Sequence, residues 1–102
     1  MGIISVLFGN NKADFKSLVD NGALIVDVRS PQEFASGHVD GSINMPLDTI
    51  GSKAAFLKNS GKPVITCCRS GARSGMAQEV LKNAGVEVYN GGAWDNLRQK
   101  IQ

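Results

Sequence analysis

The segment Val64-Ile65-Thr66-Cys67-Cys68-Arg69-Ser70-Gly71-Ala72-Arg73-Ser74 constrains this chain more than any other. An apolar, partly β-branched run ends in cysteine. A short loop with Gly71 and two arginines follows, and the chain then reads as helix. Strand, tight turn and helix together make the layout of an anion cradle. Amides of the loop and of the first helical turn point inward and favour negative charge. A cysteine on the floor of such a cradle is held as thiolate, the nucleophilic form, because amides and guanidinium groups stabilise the charged sulfur. Cys68 is therefore the candidate nucleophile. Arg69, Ser70, Gly71, Ala72 and Arg73 form the candidate anion-binding loop.

With 102 residues, the chain fits one domain with a single modest core, taken as residues 14 to 97, after an N-terminal apolar segment at 1–10. The net charge of +2 is scattered apart from Arg69 and Arg73, so neither nucleic acid nor a membrane surface is expected as a partner. Two adjacent cysteines make no disulfide framework, and both are expected as free thiols in a reducing, cytoplasmic compartment. No metal is expected, since Cys67, Cys68 and the distant His38 do not match a zinc spacing. Residues 2–8 are too few to span a bilayer and lack a basic leader, and Val6 sits where a myristoylation signal needs Ser or Thr. They are expected to pack on the domain as a strand or short helix.

Along the chain, strands and helices alternate. Asn10 and Asn11 can cap a helix from Asp14 to Asn21, which Gly22 stops. Leu24 to Val28 reads as a buried strand of a parallel sheet, so Asp27 within it needs a partner. Ser30-Pro31-Gln32-Glu33 is a helix start, with Ser30 as N-cap and Glu33 closing a capping box. His38 to Ser42 reads as a turn, and Ile43 to Pro46 as a brief strand. Leu47 to Asn59 has helical spacing through Ile50, Ala54, Phe56 and Leu57, with Gly51 as a weak point. Arg73 to Ala84 carries Met76, Val80, Leu81 and Ala84 on one face. Val86 to Tyr89 alternates as a strand, Gly91-Gly92 reads as a turn, and Trp94 to Ile101 as a last helix. The pattern implies an α/β fold with a mainly parallel five-stranded sheet and helices on both faces, with ligands at the carboxyl ends of the strands.

Four stretches in this order resemble the single-domain rhodanese-like family. They are Asp27-Val28-Arg29 followed by Glu33-Phe34, the turn Gly37-His38-Val39-Asp40-Gly41-Ser42-Ile43-Asn44-Met45-Pro46, the loop Cys68 to Ser74, and Gly91-Gly92-Ala93-Trp94. The resemblance implies a sulfurtransferase without cofactor. A small sulfur-donor anion such as thiosulfate passes its outer sulfur to Cys68, and a thiophilic acceptor, cyanide or a thiol such as a thioredoxin-like protein, takes it from the persulfide. Arg73, more than Arg69, is expected to hold the donor. Asp27, Arg29, His38 and Trp94 are expected to support the site, and Glu33 to start its helix. Cys67 departs from the family, which often has a larger residue there, and is expected to pack inside.

Two alternatives stay open at this level. Cys67 and Arg73 satisfy the Cys-x5-Arg spacing of a phosphatase or arsenate reductase, although Gly71 stands at the right distance from Cys68 rather than Cys67. A non-catalytic module that binds a partner or only carries sulfur is the other, although such members usually lack the cysteine.

Overall fold

The computed structural model describes residues 14–102. The apolar segment 1–10 and the proposed caps Asn10 and Asn11 lie outside the described residues. Four strands form one sheet: β1 (Leu24–Asp27), β2 (Ile43–Asn44), β3 (Val64–Cys68) and β4 (Val88–Ala93), in the order β2-β1-β3-β4. All three pairings are parallel. Among the described residues five α-helices accompany them: α1 (Phe15–Asp20), α2 (Pro31–Ala35), α3 (Ile50–Asn59), α4 (Ala72–Asn83) and α5 (Trp94–Lys100). The expected sheet had five strands, and the described residues hold four.

Helices cover both faces, because alternate residues of a buried strand point to opposite sides. Val26, Val64 and Cys68 face α3 and α4, where they meet Ile50, Ala54, Leu57, Ala77 and Leu81. Ile25, Ile65 and Cys67 face the other way, toward Leu97 of α5 and Phe15, Leu18 and Val19 of α1. Burial decides the helices more than propensity does. Gly51 costs α3 about 1 kcal/mol relative to alanine. Fully burying Ile50 and Leu57 contributes about 1.5–3 kcal/mol each, and the helix runs unbroken from Ile50, after a 3-10 turn at Leu47–Thr49. Among the described residues no helix is long and apolar enough to cross a membrane.

Local signals set several ends. Asp14 is the N-cap of α1, its carboxylate accepting the Ser17 amide at 3.1 Å. At α2 both halves of the capping box form, with Pro31 in the first turn. Other expectations are corrected. The fourth strand does not end before Gly91-Gly92 but runs through both to Ala93. A Cβ on Gly91 would lie 2.8 Å from Ile65 Cγ2 and 2.9 Å from the Thr66 carbonyl. Glycine thus lets β4 approach β3 where the register shifts between Thr66 and Cys68. The inward stripe of α4 is Ser74, Ala77 and Leu81, while Met76 and Val80 are exposed. On α3, Phe56 is likewise exposed.

Candidate active site

The site grows from the carboxyl end of β3. The strand stops at Cys68, and α4 begins four residues later. Gly71 is the N-cap of α4 with φ of 104°, a conformation that a side chain strains. This sharp turn brings the chain back over the Cys68 sulfur. The Gly71 amide donates to Sγ at 3.0 Å and the Ser74 amide at 3.3 Å. The Ser74 hydroxyl stands 3.4 Å from Sγ. Burial alone raises the pKa of this thiol. The Ser74 hydroxyl and the amides of Ser74, Gly71 and Ser70 more than offset that, so the net shift is downward from 9.0. Cys68 is 1% exposed, so only a small terminal atom can reach it through the loop.

The sequence reading missed the partner that makes this ring rigid. Ser74 is fully buried, and its hydroxyl donates to Asn90 Oδ1 at 2.6 Å. Asn90 also accepts the Gly92 amide at 2.9 Å and donates to the Gly71 carbonyl at 3.2 Å. Thr66 Oγ1 donates to the Ser74 carbonyl at 2.9 Å. One asparagine on β4 therefore ties the loop glycine, the first turn of α4 and the bulged strand together. The hydroxyl has one proton for two acceptors. It serves Asn90 while Cys68 is a thiol, and can turn to the sulfur when that ionises. A signal existed for Ser74: it follows Cys68 by six residues, in the first turn of the helix. None existed for Asn90, whose role depends on its pairing with Thr66.

The remaining loop residues separate by exposure. Arg69, Ser70 and Ala72 are exposed, and Gly71 and Arg73 are partly buried. Arg73 makes a two-pronged ion pair with Glu33, Nη1 to Oε1 at 2.8 Å and Nη2 to Oε2 at 3.0 Å. That pair and the Ser30 amide hold the Glu33 carboxyl down to about 2. The same pair raises the Arg73 pKa above its ordinary value. Glu33 is thus more than the helix-start residue expected. Arg73, expected as the chief anion holder, directs one N–H of each terminal nitrogen at Glu33. Among the described residues no carboxylate pairs with Arg69.

Asp27 and Arg29 form a second, buried unit. The Arg29 guanidinium grips both carboxylate oxygens, with Nη2 to Oδ2 at 2.7 Å, and the Arg29 amide donates to Oδ1 at 3.0 Å. Nη2 also donates to the Gly37 carbonyl at 2.6 Å, and the guanidinium stacks 4.8 Å from the Trp94 ring centroid. The Asn44 amide donates to the carbonyls of Asp27 and Arg29 and so clamps the end of β1. His38 is held by its own neighbourhood: Nδ1 lies 2.8 Å from the Phe34 carbonyl, and its ring stacks on Phe34 at 3.7 Å. None of Asp27, Arg29, His38 and Trp94 hydrogen-bonds the Cys68 sulfur; they brace the turns around the loop. Cys67 lies in the apolar cluster on the opposite face, and burial, followed by the Asp27 charge, pushes its thiol up to about 12. Among the described residues no group of three or more His, Cys, Asp and Glu could hold a metal ion.

What the arrangement can do is hold a sulfur anion, and then a second sulfur attached to it, inside a ring of amides. Comparison with known proteins adds a family to this geometry. The family described as the rhodanese-like domain matches residues 11–95. YqhL of Bacillus subtilis, an uncharacterised protein, is 39% identical over 69 residues, which are 67% of this chain and about half (54%) of YqhL. The thiosulfate sulfurtransferase PspE of Escherichia coli is 35% identical over 74 residues, 71% of each chain. A solved E. coli rhodanese with anions superposes with a TM-score of 0.67 at 31% identity, covering 74% of this chain and 91% of that one.

Proposed function

This chain belongs to the family of rhodanese-like domains, and on that footing we propose that it is a sulfurtransferase acting through a persulfide on Cys68. The Cys68 thiolate attacks the outer sulfur of a thiosulfate-like donor. A new S–S bond forms at Cys68 as the donor S–S bond breaks, and sulfite leaves with the electron pair. A thiophilic acceptor, cyanide or a thiol such as that of a thioredoxin-like protein, then attacks the outer sulfur and regenerates the thiolate. The exchange is covalent catalysis by an activated nucleophile, and its balance needs no redox partner. The loop amides hold the charge in both half-reactions. Arg69, exposed beside the nucleophile, is the guanidinium free to meet the incoming anion.

The observation that carries this reading is the polar ring around Sγ: the Gly71 N–H donates at 3.0 Å and the Ser74 N–H at 3.3 Å, and the Ser74 hydroxyl, at 3.4 Å, accepts from the thiol. A structural thiol has no use for two amides aimed at its sulfur. The phosphatase alternative needs Cys67 as nucleophile. Its sulfur is packed with Ile25, Val39, Ile65 and Leu97 and is held protonated far above neutrality. The test is intact mass after incubation with excess thiosulfate. A gain of one sulfur is expected, lost on adding cyanide with release of thiocyanate, and absent in Cys68→Ala. A wild-type protein that stays unmodified would favour a non-catalytic module, and phosphate release from a phosphate ester would favour the phosphatase.

A further inference from the structure

Arg73 stands at the rim of the nucleophile's loop, yet its charge is already answered. Both terminal nitrogens sit on Glu33, at 2.8 and 3.0 Å. Glu33 is fixed in turn, because Oε1 accepts the Ser30 amide at 3.0 Å as part of the capping box of α2. The carboxyl is held down to about 2 by Arg73 and Ser30, so it stays ionised wherever a thiolate exists. The local charge count is then simple. The Cys68 thiolate carries one negative charge, Arg69 one positive, and the Arg73–Glu33 pair none.

We propose that Glu33 selects the sulfur donor: by neutralising Arg73 it disfavours the thiosulfate dianion and favours low-molecular-weight organic persulfides, which carry one negative charge or none. The inference rests on the sulfurtransferase reading and names the donor class for the same site. With a persulfide R–S–SH the step balances. The Cys68 thiolate bonds to the outer sulfur, the donor S–S bond breaks, and RS⁻ leaves with the electron pair. The proton stays on the outer sulfur, and nothing is oxidised or reduced overall. Freeing Arg73 adds one positive charge to the rim. That charge attracts a dianion twice as strongly as a monoanion and leaves a neutral donor almost unaffected. The pair is about one-third exposed, 35% and 30%, so water and salt moderate the effect without removing it.

The experiment measures Cys68 persulfide formation by intact mass, with thiosulfate and with 2-hydroxyethyl persulfide, whose R group carries no charge, as alternative donors. Wild type, Glu33→Gln and Ser30→Ala are compared. Glutamine keeps an oxygen for the Ser30 amide and removes the charge. Ser30→Ala removes half of the cap and keeps the charge. For Glu33→Gln, kcat/KM with thiosulfate is expected to rise about 10-fold, mostly through KM, while the persulfide rate changes by less than about 3-fold. For Ser30→Ala the ratio between donors is expected to stay within about 2-fold of wild type. An unchanged or reversed donor ratio in Glu33→Gln overturns the inference, as does a Ser30→Ala variant that reproduces the shift. In either case persulfide still forms and the sulfurtransferase reading stands. Failure of wild type to take sulfur from both donors removes that reading and the inference together.

Discussion

Cys67 and Cys68 are adjacent, identical in chemistry and equally hidden, at 0% and 1% exposed. Their thiols nevertheless move in opposite directions. Cys67 points into an apolar cluster near Asp27 and is pushed up to about 12. Cys68 points under a loop whose amides converge on it and is lowered from 9.0. Burial works against the charged form in both. The difference is the donors, and their placement follows from the two-residue period of a strand. Depth in the fold does not by itself set the direction of a thiol's pKa; the donors around it do.

The strongest way to break that comparison is to exchange the two. Cys68→Ala is expected to lower sulfur uptake by about 10³-fold or more. Cys67→Ala should leave it within about 3-fold, because that side chain packs in the apolar cluster on the other face of the sheet. Equal losses in the two variants, read by intact mass after incubation with donor, would defeat the distinction. The next effect lies on the supporting side. Asp27→Ala strands the Arg29 guanidinium, which is 4% exposed, and is expected to cost about 3–5 kcal/mol in urea unfolding. A loss below about 1 kcal/mol would mean that this buried pair is not what braces the end of β1.

Removing one donor sharpens the comparison further. Ser74→Ala is expected to move the Cys68 pKa up and to lower its alkylation rate at neutral pH about 10-fold. The pH–rate profile of iodoacetamide labelling would shift to higher pH, toward the behaviour of an ordinary thiol. A profile that stays in place would exclude the hydroxyl as a stabiliser of the thiolate. The smallest effect concerns stability in alkali. The folded pKa of Cys67 is raised from 9.0 to about 12. Its contribution is therefore complete below pH 9.0 and is lost as pH climbs through that window. Cys68 has the opposite sign: its contribution is present above the ordinary thiol pKa and fades as pH falls through the lowered folded value. Cys67→Ala should lose about 1 kcal/mol at neutral pH through a small cavity, yet unfold less steeply with pH above 9.0 than wild type. Parallel curves of Tm against pH would contradict this.

Much of this was legible beforehand because the signals are short-range. Ser30, Pro31 and Glu33 announce a helix start within four residues, and both capping bonds form. Asp27 in an apolar run had to find a partner, and Arg29 two residues on supplies it. The turn at Gly71 is written next to the cysteine it encloses. The misses share one cause, which is that they depend on how elements are set against one another. Met76 and Val80 read as core by spacing. The α4 helix is instead rotated so that Ser74 reaches Cys68, and that rotation brings Ala77 and Leu81 inward and turns Met76 out. Gly91-Gly92 read as a turn because two glycines usually break a strand, whereas here the close approach of β4 to β3 requires one.

The amino-acid order by itself determined an α/β domain of alternating strands and helices, a candidate nucleophile at position 68, and a tight glycine turn after it. Those follow from hydrophobic period, glycine and cap chemistry, all of which act over a few residues. Tertiary structure alone decided that Glu33 neutralises Arg73 across forty positions and that Asn90 ties the loop to β4. Such pairings depend on strand order and helix rotation, which emerge only when the separate apolar faces are buried together.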